Sequence, residues 1–306
     1  MLLLFLFMTA ILVGRRSLVG SKFANSMVLV LCLLPQLSWS KQIVTYAWAA
    51  SMSNDERGHY PIALLKLALL KSGENFEARP SKISMPQWRT LRQVQMGKEL
   101  DVVWTMTNPE REEELLPIRI PIDRGLLGWR LLLINANQTQ QFANLTAPNE
   151  LRHLRAGQGH DWPDYPILLA NQFKVSPSSS YEGLFEMLKR GRIDYFPRSV
   201  MEIDVELQAH SSLDFRVAPN WVLYYPAPLY FFVKKDQIKL AAAIERGLLI
   251  AMKDGSMRTL FLKQFGAVIA QADLKNRRIL KLDNPYLSSA TPLQHRELWF
   301  SPALGF

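Results

Sequence analysis

Two stretches of this 306-residue chain, Met96-Gly-Lys-Glu-Leu-Asp-Val-Val-Trp104 and Lys189-Arg-Gly-Arg-Ile-Asp-Tyr-Phe196, decide how the rest is read. Each follows a helix-like segment and then runs through glycine, a basic residue, an apolar residue, aspartate and a short apolar strand. The first carries one extra residue, Glu99, before the apolar position. A glycine just past a helix supplies the left-handed cap that other residues adopt at a cost. An apolar run directly after it reads as a strand buried on both faces.

Working outward, strand-like and helix-like segments alternate. Residues 42–46 read as a strand. Residues 60–71 read as a helix with Ile62, Leu65 and Leu69 on one face and Gly73 beyond its end. A second helix is expected over 86–96, and strands over 100–104 and 127–135. A helix over 165–173 follows. Tyr181, Leu184, Phe185 and Leu188 then sit at i, i+3, i+4 and i+7, an amphipathic helix that stops at Gly191. Residues 193–196 read as a strand, 200–209 as a helix, and 221–225 and 229–233 as strands. Helices over 237–253 and 256–265 close the body. From Asp283 onward Pro285, Pro292 and Pro302 interrupt any periodicity, so this is expected to be a C-terminal extension packed over the body. Alternation of this kind predicts α/β architecture, with mixed but mostly parallel sheets and flanking helices.

The length suits two domains of about 150 residues each. Hydrophobic residues at 48% and charged residues at 21% exclude a disordered chain or a rod. The net charge is +9, from 36 basic and 27 acidic residues. Residues 1–40 hold Arg15, Arg16 and Lys22 and no acid, so the remainder carries 33 basic against 27 acidic residues, a net +6. That charge is scattered, with no Lys/Arg run dense enough to track phosphates, so no nucleic-acid partner is expected.

Residues 1–13 are apolar, Arg15, Arg16 and Lys22 follow, and a second apolar run over 27–34 ends in Pro35-Gln-Leu-Ser-Trp-Ser40. Small residues at Ser38 and Ser40 fit a signal-peptidase exit. Residues 1–40 are therefore expected to be a signal peptide cut before Lys41, which exports the mature chain; an uncleaved membrane anchor is the alternative. The single cysteine, Cys32, lies in this leader, so the mature chain has no thiol for a disulfide, a zinc cluster or a nucleophile. No metal and no cofactor are expected.

The two repeated units, together with the leader, resemble the bacterial family 3 solute-binding proteins, which have the type 2 periplasmic binding fold known from amino-acid uptake systems. In that family a helix followed by Gly, Lys or Arg, an apolar residue, Asp and an apolar residue occurs once in each lobe. Gly97 to Val102 and Gly191 to Tyr195 match it. Trp104-Thr-Met-Thr-Asn-Pro-Glu-Arg111 is similar to the family's Thr/Ser-rich strand end followed by Arg. Ala156-Gly-Gln-Gly-His-Asp-Trp162 is similar to its Gly-rich turn, and Lys253-Asp-Gly-Ser-Met257 to a late signature between helices. The resemblance spans about residues 42–265. It implies two lobes with a discontinuous first one: lobe 1 over 41–126 plus 229–306, carrying the extension from about 283, and lobe 2 over 127–228. It further implies a periplasmic location for the mature chain, a small-molecule solute held between the lobes, a membrane permease or a sensor as partner, and a monomer.

Candidate ligand contacts follow. Arg111 can grip a carboxylate with two parallel hydrogen bonds, with the Thr105 and Thr107 hydroxyls beside it. Gly157, Gln158 and Gly159 can present backbone amides to an anion, with His160 next to them. The resemblance implies an aromatic residue after the first strand, at Tyr46 and Trp48. Asp55, Arg57 and Tyr60 are expected to form a polar network in the adjoining turn.

Two departures from the family matter. Arg111 lies four residues after Thr107 and six after Thr105, where the family has five. The second-lobe strand end reads Tyr195-Phe-Pro-Arg-Ser199, with Glu202 one turn on, where an Asp often takes the ligand's amine. Arg198, Ser199 and Glu202 thus join the candidate set, and an anionic ligand stands beside an amino-acid-like one. Trp129 and Arg130 are expected to pack the hinge. No catalytic motif of hydrolase, zincin or P-loop type occurs. The expected function is non-enzymatic solute binding; an enzyme on the same fold using His160, Asp161 and Glu202, or a partner-binding adaptor, are the alternatives.

Overall fold

In the computed structural model, which describes residues 40–48, 58–85 and 87–305, strands and helices alternate from the first described residues. The expected leader, apart from Ser40, lies outside them, as do Asp55, Arg57 and the side chain of Trp48. The chain forms β1 (Gln42–Trp48), α1 (His59–Lys71), β2 (Phe76–Ser84), α2 (Gln87–Met96), β3 (Val102–Met106), α3 (Pro109–Glu114) and β4 (Leu115–Ile118). After a short 3₁₀ turn come β5 (Trp129–Asn135), α4 (Thr139–Ala143), α5 (Pro148–His153), β6 (Arg155–Gly159), α6 (Asp164–Ala170) and β7 (Lys174–Ser178). Then follow α7 (Tyr181–Lys189), β8 (Phe196–Ser199), α8 (Ile203–Ala209), β9 (Phe215–Val217) and β10 (Trp221–Tyr224). The last elements are β11 (Leu229–Lys234), α9 (Ile238–Lys253), α10 (Ser256–Ala272) and β12 (Arg278–Lys281).

The first sheet has the order β2-β1-β3-β11-β4, and the second β12-β10-β5-β8 with β9 also on β5; β6 and β7 form a third, small sheet. β11 is far from β3 in sequence yet pairs with it, so the chain leaves the first sheet, builds the second and returns. It returns antiparallel to both β3 and β4. β5 likewise runs antiparallel to β8, β9 and β10. Between the named strands, parallel pairing joins β1 with β2 and β3, β10 with β12, and β6 with β7, and a parallel bridge joins Ala156 to Tyr195. The sheets are thus mixed rather than mostly parallel, because the returning strands enter from the opposite end.

The repeated unit has one physical meaning in both places. Gly97 and Gly191 have φ of +63° and +65°, the left-handed conformation that ends α2 and α7. The aspartate that follows ties the chain to a neighbouring strand. Asp101 accepts the Thr45 amide at 2.7 Å, and its own amide donates to the Thr45 carbonyl at 2.8 Å. Asp194 accepts the Arg155 amide at 2.6 Å and donates to the Arg155 carbonyl at 2.8 Å. Each unit thus registers its incoming strand against the strand beside it.

Helices α1 and α9 cover the first sheet. They meet where Gly247 lies against the Ala68 carbonyl, a contact that a Cβ at 247 would reduce to 1.8 Å. The two connections between the sheets, residues 119–128 and 225–228, are clasped by one buried carboxylate. Asp123 accepts from the amides of Leu127 at 2.8 Å and Gly125 at 3.1 Å on the first connection, and of Leu229 at 3.4 Å beyond the second. β12 joins the second sheet beside β10. Residues 283–305 continue from it across these connections: the Phe300 amide donates to the Arg124 carbonyl at 2.7 Å, and Asn284 donates to the Pro226 carbonyl at 2.8 Å.

Candidate functional site

A cleft of about 470 Å³ is lined from both large sheets: by Thr105 and Met106 of β3, Arg111 of α3, Arg130 of β5 and Arg198 of β8, together with Asp164 and Glu202. Its apolar walls come from Tyr60, Trp104, Trp162, Tyr181 and Phe265.

The three arginines differ in what holds them. Arg198 is buried and donates from Nε to Glu206 at 2.7 Å and from Nη2 to the other Glu206 oxygen at 2.5 Å. Its Nη2 also lies 3.1 Å from Glu202. Its guanidinium carbon sits 5.1 Å from the Trp162 ring centre and 4.8 Å from that of Phe196. Burial opposes the Arg198 charge, but Glu202 and Glu206 outweigh it and raise its pKa. Arg130 is equally buried, 2.5 Å from Asp164 and 3.4 Å from Glu202, and its Nε donates to Tyr225 at 3.1 Å. Burial opposes its charge too, and Asp164 leads the groups that raise its pKa. The Tyr225 hydroxyl donates in turn to Asp164.

Arg111 is different. Its Nη1 donates to the Met106 carbonyl at 2.6 Å and to the Thr105 hydroxyl at 2.9 Å, both uncharged. The acid next in sequence is taken elsewhere: Glu112 accepts from Thr107 at 2.6 Å and from Arg119 at 2.7 Å. Among the described residues, no carboxylate lies within ion-pair distance of Arg111. Burial lowers the Arg111 pKa, and more distant Asp161, Asp164 and Glu110 act against that fall. An incoming anion would supply the missing charge. Asn108 positions the group by capping α3, accepting the Arg111 amide at 2.9 Å, with Pro109 in the first turn.

Of the residues expected from sequence, Thr105, Arg111, Arg198 and Glu202 line the cleft. Ser199 stands behind them, its amide donating to Glu202 at 3.2 Å. Thr107 is buried against Glu112. Tyr46 is buried one layer back, 6.2 Å from the Trp104 ring that does face the cleft. Trp48 ends β1.

The glycine segment is not the turn expected. Gly157, Gln158 and Gly159 lie in β6, paired in register with Ser176, Pro177 and Ser178 of β7. Their amides serve that sheet and its neighbours, since the Gly157 amide donates to the Tyr195 carbonyl at 2.9 Å. Gly159 is required for space: a Cβ there would lie 2.5 Å from the Trp162 indole. Gln158 is buried, its side-chain oxygen accepting its neighbour's amide at 3.3 Å. His160 is exposed, 3.7 Å from Asp161. Sequence reasoning missed Asp164, Trp104 and Trp162 as cleft residues and took Arg130 for hinge packing. A signal for Arg130 was present: it neighbours Trp129 in a strand, so the two must point to opposite faces. Among the described residues, no cluster of three or more His, Cys, Asp or Glu is placed to hold a metal ion.

Solved structures similar to this chain include periplasmic and extracellular solute-binding proteins and a periplasmic VFT2 domain. A probable amino-acid ABC transporter extracellular-binding protein, YtmK of Bacillus subtilis, superposes with a TM-score of 0.57 at 20% identity, covering 74% of this chain and 98% of that one. An ancestral arginine-binding protein bound to arginine gives 0.54 at 18% identity, over 74% and 99%. The periplasmic VFT2 domain of Bordetella pertussis BvgS gives 0.54 at 16%, over 72% and 93%. These likenesses establish the fold that the repeated units implied. No protein-family model matches the sequence, and no curated protein matches it.

Proposed function

We propose that this chain is a non-enzymatic solute-binding protein of the periplasm, whose two lobes close by hinge motion on a small solute bearing one carboxylate. Lobe 1 would comprise residues 41–126 and the segment from 229, lobe 2 residues 127–228, with β12 adding its strand to the second lobe's sheet. A membrane permease or a sensor would read the closed form.

One observation carries this reading: among the described residues Arg111 faces the cleft with no carboxylate partner, whereas Arg130 and Arg198 are already compensated. Three carboxylates, Asp164, Glu202 and Glu206, oppose those two guanidiniums. The Arg130–Arg198 side of the cleft therefore carries excess negative charge and the Arg111 side excess positive charge. A dipolar solute fits such a field, its carboxylate on Arg111 and Thr105 and its cationic group toward Glu202. The aromatic walls favour an apolar body between the two. A second cation, as on arginine, would find no uncommitted acid among those named, and a second carboxylate no further unpaired guanidinium. The acid–base alternative has less support, because His160 is exposed and does not line the cleft.

The test is a thermal-shift and calorimetric screen of the chain against neutral aromatic and aliphatic amino acids, arginine, glutamate and aromatic acids. A ligand at a hundred times its Kd adds about 2.7 kcal/mol of stability. Phenylalanine or a similar neutral amino acid is expected to bind, and Arg111→Ala to abolish that shift. Binding that survives Arg111→Ala undiminished would refute the assignment.

A further inference from the structure

The second large sheet has a groove on the face opposite the cleft. Adjacent residues of a strand point to opposite faces: Arg130 faces the cleft and Trp129 faces the groove. Trp129 pairs in register with Tyr224 of β10, their rings 4.4 Å apart and tilted by 34°. The C-terminal extension closes the other side. Phe300 sets its ring edge-on to Trp129 at 6.0 Å, and Trp299 is held by its indole N–H donating to the Pro292 carbonyl at 2.9 Å. The enclosed space is about 880 Å³, within the range of small-molecule sites.

The rim of this aromatic groove is basic. Lys275, Lys281 and Arg296 line it, and among the described residues no acidic one does. Among the described residues none of the three forms an ion pair, although elsewhere on the surface Lys71, Lys234 and Arg246 do. Three uncompensated cations around stacked indole and phenol rings match one chemistry: a planar apolar body carrying a negative group.

We propose that this groove is a second ligand site, separate from the cleft, that takes a small planar aromatic monoanion such as an aryl carboxylate. The ring inserts beside Trp129, Tyr224 and Trp299 while the carboxylate meets Lys275, Lys281 and Arg296 at the mouth. Because β5 presents Trp129 to this groove and Arg130 to the cleft, the occupant would touch the strand that also holds Arg130.

The probe is 2-naphthoate, titrated calorimetrically into the whole chain and followed by the indole N–H resonances of Trp129 and Trp299. One-to-one binding that shifts both resonances and weakens with added salt is expected. The cationic analogue 2-naphthylmethylamine should not bind. The triple variant Lys275→Ala/Lys281→Ala/Arg296→Ala changes exposed side chains only and should weaken 2-naphthoate by roughly tenfold, three exposed charge contacts being lost. Arg111→Ala should leave 2-naphthoate binding at this groove unchanged, whatever it does to the cleft. The proposal is overturned if no heat is seen at millimolar probe, if the amine binds equally, if the triple variant binds as well as the parent, or if Arg111→Ala removes the binding and so puts the probe in the cleft.

Discussion

Arg198 on β8 and Glu206 on α8 form a two-pronged ion pair inside the protein, each side chain only 3% exposed. The Tyr181 hydroxyl completes it by donating to Glu206 at 2.8 Å. Removing one partner of such a pair strands the other charge away from water, at about 3–5 kcal/mol. Glu202 still lies 3.1 Å from Arg198, so Glu206→Gln is expected at the lower end, about 3 kcal/mol. The double change Arg198→Met/Glu206→Met should recover most of that loss. Urea denaturation measures both; a Glu206→Gln variant as stable as the parent would show that the pair contributes nothing.

The matched aspartates offer a second check. Asp101→Ala deletes the acceptor for the Thr45 amide, and Asp194→Ala the acceptor for the Arg155 amide. Each should cost about 1–2 kcal/mol and speed hydrogen exchange at the amide left unpaired. Asn in place of Asp keeps one acceptor and should restore part of the protection. Unchanged exchange at Thr45 in Asp101→Ala would sink the shared role.

Two helical glycines should respond with opposite sign to alanine. Gly247 of α9 faces the Ala68 backbone at a distance no Cβ can occupy, so Gly247→Ala must push α9 away from α1 and cost about 1–3 kcal/mol or more. Gly266 of α10 has open space where a Cβ would go. Gly266→Ala should therefore stabilise by about 0.5–1 kcal/mol through the entropy of the unfolded chain. Thermal unfolding of the pair separates the effects of space and propensity.

Asp123 predicts a pH dependence. Burial pushes its carboxyl up to about 6, against the opposing pull of the Leu127, Gly125 and Leu229 amides. The folded state therefore holds a proton that the unfolded chain, with a carboxyl pKa near 4, releases. This contribution to stability is complete below about pH 4 and is lost as pH rises through about 6. It amounts to at most about 3 kcal/mol. Asp123→Asn should remove that slope while weakening the clasp. Equal slopes in parent and variant between pH 4 and 6 would assign the dependence to other groups.

Legibility from sequence followed the range of the forces involved. The repeated units could be read because their determinants are local: a glycine for a positive φ, and an aspartate one position before an apolar strand. Helices α1, α7 and α9 were equally plain from their apolar spacing. β2, β4 and β7 were not, because Pro80, Pro117 and Pro177 sit in them. Proline lacks the donor a ladder needs, and β2 and β4 tolerate it by lying at the sheet's edges. The glycines of β6 read as a turn because nothing in their own sequence announces the Trp162 ring that demands the small residue.

By itself the sequence determined the α/β class, the matched capped-helix units and the presence of Arg111 at a strand exit, since each depends on residues within a few positions of one another. Only the tertiary structure decided which cations remain available to a ligand. Arg130 and Arg198 are neutralised by carboxylates from other elements, some of them distant in the chain, and among the described residues Arg111 is left without one. Compensation of buried charge depends on distance in space, which residue spacing does not encode.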